Sequence, residues 1–293
     1  MKLLKNPKIL LFVLYLPKRV CYTVDMENRI VTLIKKVEGM QFSYTVNNPK
    51  PGITNNARHV HPYYELMYIE DGELEFVVEN KRYILEKGDV LVIKPGQYHY
   101  ARQLFRAPYA RFCLGFSPEF IFNKKFAESL SDRGEKFTVE GGSAFDLLVY
   151  SMKNMADKET SHDEVLFKGL MDSLLICLEE TAPDESGIAP SNSNFQKILD
   201  YISKNLTSIN EVEDIAKALF FSRSYVMHIF KSELRVGVMQ YVRNKKIMLA
   251  HKMLKKGDKP TEVYTRCGFL NYPSFYRAYT AYFGFSPKEA LSN

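Results

Sequence analysis

Two different spacings of hydrophobic residues divide this chain of 293 residues. Over residues 40–115, apolar residues alternate with polar ones in short runs, as at Phe42 and Tyr44, and turn pairs such as Asp71-Gly72 separate the runs. Short alternating runs with a turn about every 8–12 residues are typical of antiparallel sandwiches and barrels. The pattern therefore predicts a small antiparallel β-barrel.

From about residue 118 the spacing becomes that of amphipathic helices. Over 143–156 and 163–180, apolar residues recur about every 3.6 positions, which places them on one face of a helix. Residues 182–194 then combine Pro, Gly, Ser and Asp with few large apolar residues, which is typical of a linker. The runs that follow have helical spacing.

These patterns predict an α+β protein of two domains. The first is an antiparallel β-barrel with flanking helices, and the second is all-α. The predicted order along the chain is an N-terminal extension at 1–39, the barrel domain at 40–181, the linker at 182–194 and the helical domain at 195–293.

Within the last third of the chain, two segments repeat one plan. In the first, a short helix containing Ile215-Ala216 ends in a tight turn, and Ser222 caps a second helix. In the second, Asn271 caps the second helix. A longer helix over 238–256 separates the two segments. The plan is that of a double helix-turn-helix.

The positive charge of the chain is concentrated in this helical third. The whole chain carries 40 Lys and Arg against 34 Asp and Glu, a net charge of +6. Residues 190–293 hold 16 Lys and Arg against 8 Asp and Glu, so their net charge is +8 and that of residues 1–189 is −2. A basic helical domain on a mildly acidic body indicates a polyanionic partner. The 46% hydrophobic content excludes a wholly disordered chain.

Cysteine spacing and the absence of long apolar segments predict a cytoplasmic protein without a membrane span. Cys21, Cys113, Cys177 and Cys267 are far apart and form no CxxC pair, as expected of free thiols in a reducing compartment. The apolar run at 9–16 follows three lysines, but it is too short to cross a bilayer and no small-x-small cleavage site follows it closely.

Several residues of the last third carry a resemblance to the AraC/XylS family of bacterial transcription regulators. The matching marks are the Ile215-Ala216 helix, the helix at 222–231, Tyr241-Val242, the helix at 250–254, Gly268-Phe269, Phe275-x-Arg277-x-Tyr279 and Gly284-Phe285-Ser286-Pro287. The resemblance covers about residues 195–292. It implies a transcription regulator, either an activator or a repressor, that binds double-stranded promoter DNA as a homodimer, contacts RNA polymerase and responds to a small-molecule effector.

The sequence departs from the family pattern at four positions. Tyr264 stands where the family has a small Ala, and Arg235 replaces the usual Gly after the first recognition helix. Thr280 and Ala281 replace lysines that commonly follow the second recognition helix. The second helix-turn-helix is therefore expected to hold DNA less firmly than the first.

The resemblance implies that each helix-turn-helix places one recognition helix in the major groove. The expected outward residues are Arg223, Ser224, Met227, His228 and Lys231 on the first helix, and Tyr272, Pro273, Tyr276 and Arg277 on the second. Arg277 is expected to contact guanine, whereas Lys245 and Lys246 of the connecting helix are expected to contact phosphates. The alternative for each of these residues is a solvated charged helix face.

The predicted barrel holds polar residues in a pattern that resembles the two-part cupin motif. The matching residues are His59-x-His61, Glu65, Gly72, Gly88-Asp89, Pro95-Gly96 and His99. Alternate positions on a strand point to the same side, so His59 and His61 are expected to face one way. Lys94 stands where the first Pro of the motif is usual.

The cupin resemblance leaves two uses for these residues. In metal-binding cupins the ligands match His59, His61, Glu65 and His99. The expectation here is that no metal or other cofactor is bound, and that these four residues, together with Arg58 and Tyr64, contact the effector. If a metal is bound, the same four residues hold it.

The mouth of the barrel is the expected effector site, and an aromatic-rich interior suits a sugar or another ring compound. The helix over 163–180 is expected to contact a second copy, or else to pack on its own barrel. Two other functions stay open: a metal-dependent cupin enzyme, such as an isomerase or dioxygenase with an accessory helical domain, and a sugar-binding module without regulatory output.

Overall fold

A computed structural model describes residues 14–15, 20–25, 30–37, 39–47, 59–102, 108–117, 120–121, 135–156, 160–184, 187 and 192–291. The chain divides into two compact units, with the boundary between residues 188 and 189. The predicted linker at 182–194 includes parts of two elements, because Pro183–Asp184 is a strand and Ser193 begins a helix.

In the part of the chain that the structure describes, the N-terminal unit combines antiparallel sheets with two helices. Its strands are β1 (Leu14–Tyr15), β2 (Val20–Asp25), β3 (Ile30–Val37), β4 (Met40–Asn47), β5 (Tyr64–Asp71), β6 (Leu74–Val78), β7 (Lys81–Leu85), β8 (Asp89–Ile93), β9 (His99–Arg102), β10 (Tyr109–Phe116), β11 (Lys136–Thr138) and β12 (Pro183–Asp184). Its helices are α1 (Ala144–Met155) and α2 (Asp163–Glu179). Over the described residues, one sheet has the order β1-β2-β3-β4-β10-β5-β8-β11-β12, and a smaller one the order β7-β6-β9.

Alternation along the central strands buries both faces of the large sheet. Leu66 and Tyr68 of β5 belong to the same core as the buried residues of α1 and α2. Met67 and Ile69 point the other way and share a core with Phe76 of the smaller sheet. Each such buried side chain contributes about 1.5–3 kcal/mol of hydrophobic stabilisation. The predicted class, antiparallel strands with flanking helices followed by a helical domain, is confirmed.

Residues 20–37 correct the predicted N-terminal extension. β2 and β3 continue the large sheet, and β3 pairs with β4 along its whole length. The sequence at 30–37 is rich in β-branched residues, which favour strands, and Gly39 supplies the positive φ of the turn into β4. A buried ion pair of 2.7 Å between Lys35 and Asp163 ties β3 to the first residue of α2.

The C-terminal unit is helical over its described residues. Its helices are α3 (Ser193–Asn205), α4 (Val212–Leu219), α5 (Arg223–Leu234), α6 (Val238–Lys255), α7 (Pro260–Arg266) and α8 (Tyr272–Phe283), followed by a 3-10 turn at Glu289–Leu291. The pairs α4–α5 and α7–α8 are the two helix-turn-helices, and α6 connects them. The side chains of Ser222 and Asn271 accept backbone hydrogen bonds at the starts of α5 and α8, so both predicted caps are confirmed. None of the helices in the described ranges has the length and apolar character to cross a membrane.

Candidate effector site and DNA interface

Four polar side chains converge where β5 and β9 begin. His59 and His99 pair through their backbones, with both N–O distances at 3.1 Å. His61 precedes β5, and Glu65 is the second residue of that strand. One nitrogen or oxygen from each of the four side chains lies within 4.8 Å of the others. These four residues form the histidine cluster.

Backbone carbonyls orient the two buried imidazoles of this cluster. Nδ1 of His61 is 2.8 Å from the carbonyl oxygen of Tyr63, and Nδ1 of His99 is 2.9 Å from that of Gln97. Because a carbonyl oxygen only accepts, each Nδ1 carries a hydrogen. The Nε2 atoms then face Oε2 of Glu65, at 2.9 Å and 3.2 Å. In a neutral ring, Nε2 is then an acceptor and would face another acceptor. The contact is favourable only if the imidazole carries a second proton on Nε2, or if Nε2 and the carboxylate bind one cation together.

The surroundings of Glu65 favour its ionised form. Burial alone would raise the pKa of the Glu65 carboxyl, but the neighbouring imidazoles of His61 and His99 hold that pKa well below its usual range. His99 is fully buried, and although its Nε2 lies 3.2 Å from the Glu65 carboxylate, it makes no aligned hydrogen bond with any described residue. The cluster therefore combines a fixed negative charge with an unsatisfied ring nitrogen.

This donor set fits a divalent transition-metal ion. Three imidazoles and one carboxylate are ligands that Zn, Fe, Mn and Ni accept. The carbonyl contacts at Nδ1 of His61 and His99 orient Nε2 for coordination, and the unsatisfied Nε2 of His99 is a nitrogen that an ion would use. Such an ion, held by the four cluster residues, would supply a positive centre for an oxygen-bearing ligand.

A cavity of about 460 Å³ lies beside the histidine cluster. Its polar lining residues are Lys36, Gln41, Ser43, His59, Tyr63, Glu65, Cys113 and Ser117. The ring of Tyr63 is 40% exposed and stacks on that of His61, with 3.9 Å between centroids. Burial raises the pKa of Cys113 to about 12, so its thiol stays protonated near neutral pH. The cavity suits a small molecule that forms hydrogen bonds and stacks on an aromatic ring.

The effector residues predicted outside the cluster have different surroundings. Tyr64 is a correction: it is buried in the core shared with α1 and α2, where its ring stacks on Phe116 with 5.6 Å between centroids. Successive residues of a strand point to opposite faces, so Tyr64 points away from the side that Glu65 faces. Arg58 lies outside the described residues.

Sequence reasoning did not find the part of the cavity that β4 and β10 supply. Gln41 and Ser43 line it from β4, and Cys113, which is paired directly with Ser43, lines it from β10. In the sequence, Gln41 and Ser43 alternate with the apolar Phe42, which indicates that they lie on the opposite face of the strand. Only the pairing of β4 with β10, distant in sequence, brings them to the cluster.

The first recognition helix, α5, exposes all five residues that were predicted to face outward. These are Arg223, Ser224, Met227, His228 and Lys231. Its opposite face holds the buried residues Val226, Ile229 and Phe230. A guanidinium nitrogen of Arg223 lies 3.3 Å from a carboxylate oxygen of Glu213 on α4. This contact holds the Arg223 charge at the exposed start of the helix.

The second recognition helix, α8, exposes Pro273, Tyr276 and Arg277. Tyr272 is half-buried rather than fully exposed, because its ring packs edge-on against that of Tyr264, with 5.8 Å between the ring centroids. The bulky Tyr264, which departs from the family's small residue, thus supports the start of the recognition helix. The last turn of α8 carries no basic side chain.

Lys246 is a correction to the predicted phosphate contacts. Its side chain is 5% exposed, and its Nζ donates to the carbonyl oxygens of Ile209 at 2.6 Å and Gly268 at 2.8 Å. Position 246 lies one helical turn from buried residues on both sides, so it belongs to the packing face of α6. The neighbouring Lys245 is half-buried, with its Nζ 5.1 Å from the ring centroid of Tyr241.

Comparisons with known proteins agree with this geometry. Residues 52–175 match the AraC-like ligand binding domain, and residues 215–293 match a helix-turn-helix domain. The Msm operon regulatory protein of Streptococcus mutans is 24% identical over 231 residues, which cover 77% of this chain and 83% of that protein. The lactose operon transcription activator of Staphylococcus xylosus is 22% identical (76% and 82% covered), and the arabinose operon regulatory protein of Escherichia coli is 24% identical (73% and 75% covered).

Proposed function

Because this chain belongs to the AraC family of transcription regulators, we propose that it reads two neighbouring major-groove segments of promoter DNA under the control of a small molecule bound beside the histidine cluster. The observation that carries the proposal is the pair of capped recognition helices, α5 and α8, with their exposed polar faces. Two such helices about 34 Å apart fit successive turns of one groove. Family membership excludes the alternatives of a cupin enzyme and of a sugar-binding module without regulatory output.

The exposed residues divide by the chemistry they offer to DNA. The fork of Arg277 matches the two acceptors of guanine in the major groove, and Met227 and Tyr276 offer apolar contacts to thymine methyls. Lys231 and Lys245 are suited to phosphates, which set affinity and salt dependence but carry no sequence information.

The effector is a small polyhydroxy compound such as a sugar. The cavity beside the histidine cluster offers a carboxylate, one imidazole, two serine hydroxyls and an amide, together with the exposed ring of Tyr63. Pyranose rings combine hydroxyl groups with an apolar face, so they match this lining. The names of two relatives, which refer to lactose and arabinose operons, support the same class.

A chain of contacts leads from the histidine cluster to the end of the N-terminal unit. The backbone carbonyl of Gln97 accepts a hydrogen bond from the His99 ring. The side-chain amide of Gln97 donates to Glu135 at 2.6 Å. Tyr83 also donates to Glu135, and its ring packs so closely on Gly187 that a methyl group there would come within 2.8 Å. An effector that moves His99 would act through these contacts on the residues that precede the DNA-binding unit.

The assembly that supports this function is a homodimer that works with RNA polymerase in the cytoplasm, where its DNA target lies. Large apolar side chains on α1 and α2 are exposed: Leu147, Tyr150, Val165 and Ile176. Exposed apolar residues on paired helices favour contact with a second copy. The promoter target and the family's regulatory role support the contact with RNA polymerase.

Capture and footprinting of genomic DNA test the proposed function. Fragments bound by the purified full-length protein are sequenced and footprinted with and without a panel of mono- and disaccharides. Each chain is expected to protect two major-groove segments, and one sugar is expected to change the affinity. An Arg223→Ala/Arg277→Ala variant, altered only at exposed residues, serves as the control. Protection of one segment per chain would contradict the double reading.

A second candidate for the histidine cluster is a resident metal ion, and the unsatisfied Nε2 of His99 favours it. The metal content of the purified protein is measured by mass spectrometry, and Co²⁺ is then added while the visible absorption is recorded. Stoichiometric metal and d–d bands that disappear in His99→Gln but persist in His228→Gln support the metal. A metal-free protein with no Co²⁺ spectrum supports an imidazolium–carboxylate cluster that binds the effector directly.

A further inference from the structure

A single buried ammonium group joins the two helix-turn-helices. Lys246 lies near the middle of α6, and its Nζ donates to the carbonyl of Ile209 at 2.6 Å and to that of Gly268 at 2.8 Å. Ile209 lies in the segment that leads into α4, the first helix of the first motif, and Gly268 ends the first helix of the second motif. The contacts of Lys246 therefore hold both motifs to the connecting helix.

The two motifs also touch directly at this point. Gly268 has a positive φ of 76°, and a Cβ atom there would lie 1.8 Å from the carbonyl oxygen of Thr207. That distance is well inside a van der Waals contact, so the turn of the second motif fits against the segment before α4 only with glycine. On the side of the second motif, the close backbone contact and a hydrogen bond of Lys246 both involve Gly268. On the side of the first motif they involve Thr207 and Ile209, which are two positions apart.

The burial of this charge has an energetic cost that an apolar residue would avoid. Burial lowers the pKa of Lys246, and a nearby Asp214 opposes this effect. An ammonium group that donates to two carbonyls regains part of the lost hydration, because hydrogen bonds from charged donors are strong. Unlike a packed methyl group, it also fixes the directions of the two carbonyls that it binds.

We propose that Lys246 is a positioning residue that sets the separation of α5 and α8, and with it the spacing between the two DNA segments that the protein reads. The proposal rests on the double reading proposed above. Lys246 acts through the two motifs and needs no contact with DNA.

Binding to DNA sites of altered spacing tests the proposal. The full-length protein is titrated with duplexes in which the two segments are moved apart by zero, one, two or three base pairs, and with a duplex that keeps only the first segment. The variants are Lys246→Met, Lys246→Gln and the control Lys245→Met, whose residue lies next in sequence and has its Nζ over the ring of Tyr241.

The wild-type protein is expected to lose affinity about tenfold with one inserted base pair. Lys246→Met is expected to bind DNA of the native spacing about tenfold more weakly, because it loses two charged hydrogen bonds. Its affinities for the different spacings are expected to differ by less than about twofold. Its affinity for the first segment alone is expected to stay within about twofold of wild type. Lys245→Met is expected to weaken binding equally at every spacing.

A uniform loss of affinity in Lys246→Met at all spacings, with discrimination retained, would overturn the proposal. If circular dichroism shows that Lys246→Met does not fold, Lys246→Gln decides, because its shorter, neutral side chain keeps a polar group at the junction but cannot bind both carbonyls as the ammonium does; retained discrimination there also overturns the proposal. A wild-type protein that gains nothing from the second segment contradicts the double reading instead.

Discussion

Lys35 and Asp163 are a charged pair that water does not reach. Their side chains are 0% and 2% exposed, and their charged atoms lie 2.7 Å apart. Burial alone would raise the pKa of Asp163, but Lys35 and hydrogen bonds from Thr160 hold that pKa below its usual 3.8. Because this pKa is lower in the folded state than in the unfolded state, the ionised carboxylate stabilises the fold above the unfolded pKa. That stabilisation is lost as the pH falls through the folded pKa.

Asp163→Asn is expected to destabilise the protein by about 3–5 kcal/mol at neutral pH, because it removes the negative charge that faces the buried Lys35 ammonium. Urea unfolding followed by circular dichroism measures this loss. The difference from wild type is expected to shrink as the pH falls below the usual carboxyl range and through the lowered folded-state pKa, below which the wild-type carboxyl is protonated as well. Glu164→Gln, at an exposed neighbouring position, is the control and is expected to change little. A loss that does not vary with pH would contradict the ion-pair origin.

The exposed residues of the two recognition helices are expected to separate into sequence readers and phosphate contacts. Arg277→Ala is expected to cost about 1–3 kcal/mol on the preferred site and much less on sites with another base at that position. Lys231→Ala is expected to weaken binding equally on all sites and to reduce the salt slope by about one. Titrations of matched duplexes at several salt concentrations measure both effects. Equal losses for the two variants on every duplex would contradict the division.

Whether a single residue could be predicted depended on how local its environment is. The exposure of the α5 residues follows from their spacing within one helix, and the structure places all five as expected. Lys246 and Tyr64 were misplaced, because their surroundings come from distant segments: the carbonyls of Ile209 and Gly268 for one, and the ring of Phe116 for the other. A lysine in a basic helix carries no sequence sign that a carbonyl will bind it.

At the scale of helices, the two αL ends that are not glycine are the clearest places where the sequence does not match the backbone that it adopts. Phe220 ends α4 with φ 56°, and Arg235 ends α5 with φ 52°. Glycine is the usual residue at such ends, because its missing Cβ removes the steric penalty. Phe220 is also 95% exposed, so its side chain contributes little burial in return.

Phe220→Gly and Arg235→Gly are each expected to stabilise the C-terminal unit by about 0.5–1 kcal/mol, since the relief of αL strain exceeds the entropy cost of glycine. Thermal unfolding of the full-length protein measures the change. Lys256→Gly is the matched control, because it also follows a helix but has a right-handed φ of −83°. The control is expected to give no gain. Stabilisation by all three variants, or by none, would contradict the strain argument.

Secondary-structure elements were predictable where their signals are local. Ser222 and Asn271 mark helix starts by cap chemistry alone, and both cap as expected. β2 and β3 were missed within the supposed extension at 1–39, because a strand is stabilised by the neighbour with which it pairs. The short β12 was missed for the same reason, since its Pro and Asp disfavour strands and its pairing with β11 lies far away in sequence.

At the scale of the whole molecule, the proposed regulation needs a route from the effector site to the residues that precede the DNA-binding unit. The contacts from His99 through Gln97, Glu135 and Tyr83 to Gly187 are suited to this role, because each joins groups of fixed geometry. Spatial continuity alone does not establish coupling, whereas a double-mutant cycle measures it.

Tyr83→Phe removes one hydrogen bond of this route while keeping the ring that packs on Gly187. The sugar found by footprinting is expected to change DNA affinity about three- to tenfold less in this variant, which corresponds to a coupling loss of about 0.7–1.4 kcal/mol. Gln97→Leu is expected to have the same effect, and the double variant no larger one, because both act through Glu135. Ile84→Val, at an exposed position on the same strand as Tyr83, is the control. Additive effects of the two variants, or an unchanged response, would show that the signal takes another route.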